Sequence, residues 1–96
     1  MTKLEPIVPG EILLTEFMEP MGVSRNGLAK ATGMPLSAIS KIVAGTRSIT
    51  AESAVRLAAA FGTSEAFWMN LQTDYDLRRV DRAAVRKEVT PVREAL

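Results

Sequence analysis

The fold of this 96-residue chain is decided by residues 25–45, which read RNGLAKATGMPLSAISKIVAG. Apolar residues recur at helical spacing on both sides of Gly33, and the stretch closes with Gly45. Glycine readily takes the left-handed conformation that ends a helix. The stretch therefore predicts a helix, a short turn at Gly33 and a second helix, which is the helix-turn-helix arrangement.

Three positions are expected to hold these two helices together. Ala29 must be small because the second helix crosses there, Gly33 makes the turn, and Ile39 locks the second helix onto the first. The residues left outside lie in the N-terminal part of the second helix, and they are Leu36, Ser37, Ser40 and Lys41. A helix-turn-helix protein places that part of its second helix in the major groove of DNA. Short hydroxyl side chains can bond to base edges or phosphates, and a lysine suits a phosphate or a guanine.

The charge around the two helices also favours an anionic partner. Residues 25–56 carry five basic groups and one acidic group, Glu52, whereas residues 1–24 and 57–77 each have a balance of −3, and residues 78–96 have +3. Directly after the second helix, Thr46 and Arg47 supply a hydroxyl and a cation where backbone phosphates would pass. The sequence leaves one alternative open here, a helical hairpin with a merely solvated face.

Composition excludes several other classes of protein. With no cysteine and no histidine, the chain has no disulfide, no thiolate metal site and no His- or Cys-based catalysis. Its glycines form no phosphate-binding run, so we expect neither a cofactor nor a metal, and no enzymatic activity. No apolar run is long enough to cross a membrane, and the N-terminus lacks a signal-peptide pattern. These features predict a small cytoplasmic protein of one domain.

The flanking segments have a helical period as well, which predicts an all-α fold. A first helix is expected from about Glu11 to Glu19, ended by Pro20. Its acidic face consists of Glu11, Glu16 and Glu19. This face is a candidate partner-binding surface, with a merely solvated face as the alternative, and not a metal site. A fourth helix is expected between Thr50 and Gly62, with an inner face of Ala54, Val55, Ala58 and Phe61. A fifth is expected after Ser64, with a core stripe of Phe67, Trp68, Leu71 and Tyr75.

Three stretches of the chain together resemble a known family. They are PGEILLTEFMEPMGVS at 9–24, LAKATGMPLSAISKIVAGTRSIT at 28–50 and AESAVRLAAAFGTSEAFWMNLQTDYDL at 51–77. In these stretches the chain resembles the HigA antitoxins, which are helix-turn-helix proteins of the lambda-repressor-like (XRE) type. The resemblance divides the chain into an N-terminal arm at 1–8, a helix-turn-helix domain at 9–77 and an extension at 78–96. The extension lies outside the resemblance and is a candidate surface for dimerisation or a partner.

The resemblance implies a lambda-repressor-like domain of about five helices and a homodimer that binds an inverted repeat of double-stranded operator DNA. It implies repression of the protein's own operon and neutralisation, by direct binding, of a RelE-like ribonuclease of the HigB toxin type. By position, Ser37 and Lys41 would contact bases or phosphates, and Arg47 a phosphate. Arg25 stands where relatives usually have glutamine, and its long cation would reach a phosphate.

Two other functions remain open at this stage. The first is a free-standing XRE-type transcriptional regulator without a toxin, which a neighbouring gene for a small basic ribonuclease would exclude. The second is a helical adaptor that binds only protein, which salt-sensitive binding to the protein's own promoter would exclude. Homodimerisation also follows from the residues, because one lysine and a few hydroxyls give too few contacts at a single half-site.

Overall fold

The computed structural model describes residues 5–95, so residues 1–4 of the predicted arm and Leu96 at the end of the extension lie outside it. Within that range the regular elements are helices, which confirms the predicted all-α class. Helix α1 has three contiguous segments, Pro9–Ile12, Leu13–Met18 and Glu19–Met21. The later helices are α2 (Arg25–Thr32), α3 (Leu36–Ala44), α4 (Ala51–Phe61), α5 (Glu65–Arg78), α6 (Arg82–Glu88) and α7 (Val92–Ala95).

The helix ends follow local sequence signals. The side chains of Ser24, Thr50 and Ser64 accept hydrogen bonds from the backbone N–H three residues later, at 3.0, 3.2 and 3.1 Å. Each therefore satisfies an N–H group that the first turn of a helix leaves free. Gly33 ends α2 with φ of 71°, in the left-handed region that side chains disfavour. The predicted turn at Gly33 is confirmed.

Helix α1 differs from its prediction at Pro20. The expectation that Pro20 ends this helix is wrong, because α1 continues to Met21 and ends at Gly22. In a regular α-helix the proline ring would clash with the carbonyl of the residue four positions earlier. Here the segment Leu13–Met18, which ends two residues before Pro20, is π-helical, and the N–H of Glu19 donates to the carbonyl of Leu14, five residues earlier. We attribute the continuation of the helix to this wider turn, which makes room for the ring.

One face of each of helices α1–α5, together with the loop residue Ile49, builds the core. The buried apolar residues are Leu13, Met18, Leu28, Ala38, Ile39, Ile42, Ile49, Ala54, Leu57, Ala58 and Trp68. Trp68 is 0% exposed, and its ring lies 4.9 Å from that of Phe17 and 5.0 Å from that of Phe67, between centroids. Its indole N–H donates to Thr63 Oγ1 at 2.7 Å, which satisfies the one polar atom of the side chain.

The inner face of α4 corrects one predicted residue. Ala54 and Ala58 are buried as predicted, but Val55 is 47% exposed. Leu57, with 0% exposure, lies in the core instead of Val55. Leu57 follows Ala54 by three residues, so both lie on the same side of the helix, whereas adjacent residues such as Ala54 and Val55 point about 100° apart. The prediction of Val55 as a core residue was therefore wrong.

The first turn of α1 packs closely against the end of α3. Gly10 is buried, and a Cβ placed on it would overlap the carbonyl oxygen of Ile42 and lie 2.8 Å from the Cα of Val43. Only a residue without a side chain allows the two backbones to approach this closely. The contact fixes the C-terminal end of α3, and with it the position of the loop that follows.

Beyond α5 the chain leaves the core. Residues 76–95 are all exposed, and the radius of gyration is 16.9 Å, against about 13 Å for a compact chain of this length. The side chain of Asp81 caps α6 by accepting from the N–H of Ala84 at 3.1 Å, so the predicted extension contains two short helices. No helix within residues 5–95 is long and apolar enough to cross a membrane.

Candidate nucleic-acid interface

Helices α2 and α3 and the turn between them form the predicted two-helix unit. Leu28 and Ile39 are 1% and 0% exposed, and Ala29 is partly buried against the same core. The turn is braced by Thr32, whose hydroxyl donates to the carbonyl of Leu28 at 2.7 Å, and by the N–H of Met34, which donates to the carbonyl of Ala29 at 3.1 Å. These bonds fix the end of α2 and the start of the turn, and the packing of Leu28 and Ile39 in one core holds α3 against α2.

The predicted DNA-contacting residues lie at the surface of this unit. Arg25 is the first residue of α2, Leu36 is the first of α3 and is 44% exposed, and Thr46 and Arg47 follow α3. Ser37 and Lys41 are exposed one turn apart on α3, and Ser40 is half-buried. Their roles towards DNA remain predictions, but none of these side chains belongs to the core.

Thr46 also has a structural role, at the C-terminal end of α3, that was not predicted from the sequence. Its N–H and its hydroxyl both donate to the carbonyl of Lys41, at 3.0 and 3.3 Å. The residue therefore closes the last turn of α3. The hydroxyl oxygen keeps its capacity to accept a hydrogen bond, whereas its proton is already engaged.

The electrostatics of the unit suit a polyanion. Between Arg25 and Glu52 the sequence contains no acidic residue. The ion pairs within residues 5–95 are Glu52–Arg56 and Asp74–Arg78, so the charges of Arg25, Lys41 and Arg47 are not neutralised there. Exposed cations without a carboxylate partner are what phosphate contacts require.

Arg56 is a cation whose structural role could not be predicted from the sequence. Its Nε pairs with Glu52 at 3.2 Å, and its Nη1 donates to the carbonyl of Thr32 at 2.9 Å, which ties α4 to the end of α2. With Arg47, Pro35 and Ser53 it lines a cleft of about 220 Å³ beside the turn. The spacing of Glu52 and Arg56 by four residues predicts their ion pair, but no local signal indicates the bond to Thr32.

Gln72 is the second residue that the sequence did not reveal as important. Its side chain is buried in α5, and its Oε1 accepts from the backbone N–H of Ile49 at 2.8 Å. Its Nε2 donates to Asp76 Oδ1 at 2.9 Å. The amide thus links α5 to the loop that carries Thr46 and Arg47.

The acidic face predicted on the first helix lies on α1. Glu11, Glu16 and Glu19 are all exposed, and none of them takes part in the ion pairs found within residues 5–95. Their role as a partner surface stays a prediction. No group of acidic side chains in that part of the chain has the arrangement of a metal site.

The all-helical domain and its acid-free two-helix unit have the arrangement of a helix-turn-helix protein, and comparison with known proteins agrees. A family model described as helix-turn-helix matches residues 14–68. Antitoxin HigA-1 of Vibrio cholerae is 42% identical over 76 residues, which cover 79% of this chain and 71% of that protein.

Solved structures give the same result. An addiction module antidote protein of the HigA family from Coxiella burnetii is 44% identical, with a TM-score of 0.84 over 92% of this chain and 99% of its own. The antitoxin HigA of Pseudomonas aeruginosa, solved with the higBA promoter, is 39% identical, with a TM-score of 0.84 over 91% and 98% of the two chains. The chain belongs to the HigA antitoxin family of helix-turn-helix proteins.

Proposed function

We propose that this protein is the antitoxin of a type II toxin–antitoxin pair and that it represses its own operon by binding an inverted repeat in the promoter. The observation that carries the proposal is the exposed side of α2, α3 and the following loop, on which Arg25, Lys41 and Arg47 lie without a carboxylate among them. The P. aeruginosa relative solved with its promoter supports a DNA-binding role for this family.

On this proposal the exposed residues divide into two groups. Leu36, Ser37 and Ser40, at the N-terminal end of α3, lie against base edges, where a hydroxyl forms hydrogen bonds and a leucine contacts a thymine methyl group. The other group binds the phosphate backbone and consists of Arg25, Lys41, Thr46 and Arg47. The protein acts by stoichiometric binding, without catalysis or cofactor, in the cytoplasm, where the promoter DNA is found.

The test is a titration of a fluorescent duplex containing the region upstream of the gene, with a scrambled duplex of equal length as control. We expect the promoter to bind at least about a thousandfold more tightly, and both affinities to fall steeply with salt. Equal affinity for the two duplexes would contradict operator recognition. Absence of binding to both would favour the protein-only adaptor.

We further propose that the partner is a RelE-like ribonuclease of the HigB type, neutralised by direct binding. Such an enzyme must present a positive surface to RNA, and the acidic face of α1 is complementary to it. Expression of the native operon with a tag on this chain should co-purify a small basic protein encoded next to it. An operon without such a gene would instead identify a free-standing regulator.

We propose that the DNA-binding form is a homodimer. The contact surface is formed by the end of α5 and the start of the extension, where Leu77 and Val80 are 50% and 47% exposed. These side chains have no place in the core of the monomer, and their burial would add the apolar area that a small domain lacks.

A further inference from the structure

Gln72 joins two parts of the chain that are distant in sequence. It is 6% exposed, and the N–H of Ile49 that it binds lies 23 residues earlier. The other end of its amide is held by Asp76, one turn further along α5. Both polar atoms of the side chain are therefore satisfied, and its orientation is fixed by two good hydrogen bonds.

The loop between α3 and α4 is held at both ends. At its start, the N–H of Thr46 donates to the carbonyl of Lys41 at 3.0 Å. At its end, Ile49 is 3% exposed and its N–H is bound by Gln72. Arg47 and Ser48, between these two points, are exposed. A short loop with both ends fixed has few conformations available to its middle residues.

We infer that Gln72 is a positioning residue for DNA binding: its amide holds the loop so that Arg47 is preorganised for a backbone phosphate. The inference rests on the proposed function, because it assigns Arg47 to the phosphate. Gln72 itself is buried in α5 and does not touch the DNA. Its contribution is to hold Arg47 within reach of the phosphate. Without the bond to Ile49 the loop takes other conformations, and the phosphate contact is lost.

A merely structural glutamine would behave differently from a positioning one. Loss of a purely structural bond lowers the fraction of folded protein, and the folded molecules that remain bind DNA with the same phosphate contacts. The dependence of affinity on salt concentration then stays unchanged, because its slope counts those contacts. Loss of a positioning bond leaves the protein folded but removes a contact, so the slope falls.

The experiment compares three variants with the wild type. Gln72→Met keeps a side chain of similar length but removes the acceptor for the N–H of Ile49. Gln72→Glu combined with Asp76→Asn exchanges donor and acceptor at the second bond, so that both hydrogen bonds can form again. Asp76→Asn alone is the control, because its amide oxygen still accepts from Gln72. Each is titrated against the promoter duplex at several salt concentrations, with circular dichroism to measure the folded fraction and hydrogen exchange of the Ile49 amide.

We expect Gln72→Met to remain folded and its Ile49 amide to lose protection from hydrogen exchange. It should bind the promoter about tenfold more weakly, which corresponds to the loss of one charge-assisted contact. The slope of log affinity against log salt concentration should be lower by about one. The double variant and the control should match the wild type. If Gln72→Met does not fold, Gln72→Glu alone replaces it. Its carboxylate would lie beside that of Asp76 with no donor between them, and the repulsion draws the side chain away from the N–H of Ile49. We then expect a weakening that Asp76→Asn reverses.

Wild-type affinity and slope in both Gln72→Met and Gln72→Glu would overturn the inference. A weakening with unchanged slope that follows the unfolded fraction would also overturn it, since Gln72 would then be structural only. Failure of the proposed function gives a distinct result, because the wild-type protein itself would then not distinguish its promoter from the scrambled duplex.

Discussion

Lys41 and Ser37 lie one turn apart on the exposed side of α3, and they are expected to have different tasks on DNA. The flexible ammonium of Lys41 can follow a phosphate whatever base lies beneath it. Lys41→Ala should weaken binding to operator and scrambled duplexes by similar factors, and should lower the salt slope by about one. Lys30→Ala removes the same charge from an exposed residue of α2 that is not among the predicted DNA contacts, so it is the matched control and should have a smaller effect. Loss of operator affinity alone would instead identify Lys41 as a base-reading residue.

Ser37 is short and lies in the first turn of α3, so it can contact only what lies directly against the helix. Only a contact to a base edge distinguishes one sequence from another. Ser37→Ala should therefore cost operator binding about 1 kcal/mol while sparing scrambled DNA. Competition between the two duplexes at constant salt measures this difference directly. An equal loss on both duplexes would show that Ser37 binds phosphate.

Residues whose structure depends on near neighbours in sequence could be predicted, whereas those held by distant neighbours could not. Ser24, Thr50 and Ser64 cap helices through atoms three residues away, so the sequence alone reveals them. Gln72 and Arg56 bind backbone atoms 23 and 24 residues away, and no periodicity indicates such a bond. The exposed position of Ser37 and Lys41 on α3 was predictable because only the helical period and the turn at Gly33 are needed to place them.

At the scale of elements, the packing of α1 on α3 depends on Gly10. Gly10→Ala would force a methyl group into the backbone of Ile42, and we expect it to destabilise the fold by about 1–3 kcal/mol. Gly27→Ala is the control: its Cβ would meet two side-chain atoms and no backbone, the Ser24 hydroxyl at 3.2 Å and Val23 Cγ1 at 3.8 Å. Alanine is also favoured over glycine inside a helix by about 1 kcal/mol. Urea denaturation of both variants gives the free energies of unfolding. Equal stability of the two would show that α1 can move away from α3.

The acidic face of α1 gives a second prediction at this scale. Reversal of Glu11, Glu16 and Glu19 to lysine should weaken toxin binding, most strongly at low salt, because complementary charges accelerate and stabilise association. Promoter binding should persist, since these residues lie on a different helix from the predicted DNA contacts. Calorimetric titration with the purified toxin at two salt concentrations measures the change. Unchanged toxin affinity would exclude this face.

Two differences between expected and observed helices have physical causes at the level of the element. Proline is disfavoured inside a regular helix because its ring clashes with an earlier carbonyl, but the wider π-helical turn of α1 leaves room for the ring of Pro20. On α4 the period alone does not decide between Val55 and Leu57, because an alanine-rich helix has little apolar bulk to mark its inner side. Packing of α4 against α5 and its Trp68 decides which side of α4 faces the core. The sequence of α4 alone does not show where α5 lies.

At the scale of the whole molecule, we predict a dimer whose operator half-sites lie about one helical turn of DNA, or a multiple of it, apart. Leu77→Asp combined with Val80→Asp should give a monomer in sedimentation at tens of micromolar and should abolish specific binding, because the contacts at one half-site are too few. Val55→Asp, at the same 47% exposure as Val80, is the control and should remain dimeric. A wild-type monomer under these conditions would refute the prediction.

The burial of Trp68, the single tryptophan of the chain, gives the protein a built-in optical signal. An indole sealed among phenylalanine rings emits at short wavelength, and the emission moves to longer wavelength when water reaches it. DNA bound to the exposed side of α3 cannot touch this ring, so the emission colour reports unfolding and is insensitive to occupancy of the DNA-binding face. The folded fraction of every variant can therefore be followed by fluorescence in the same cuvette that contains the unlabelled promoter.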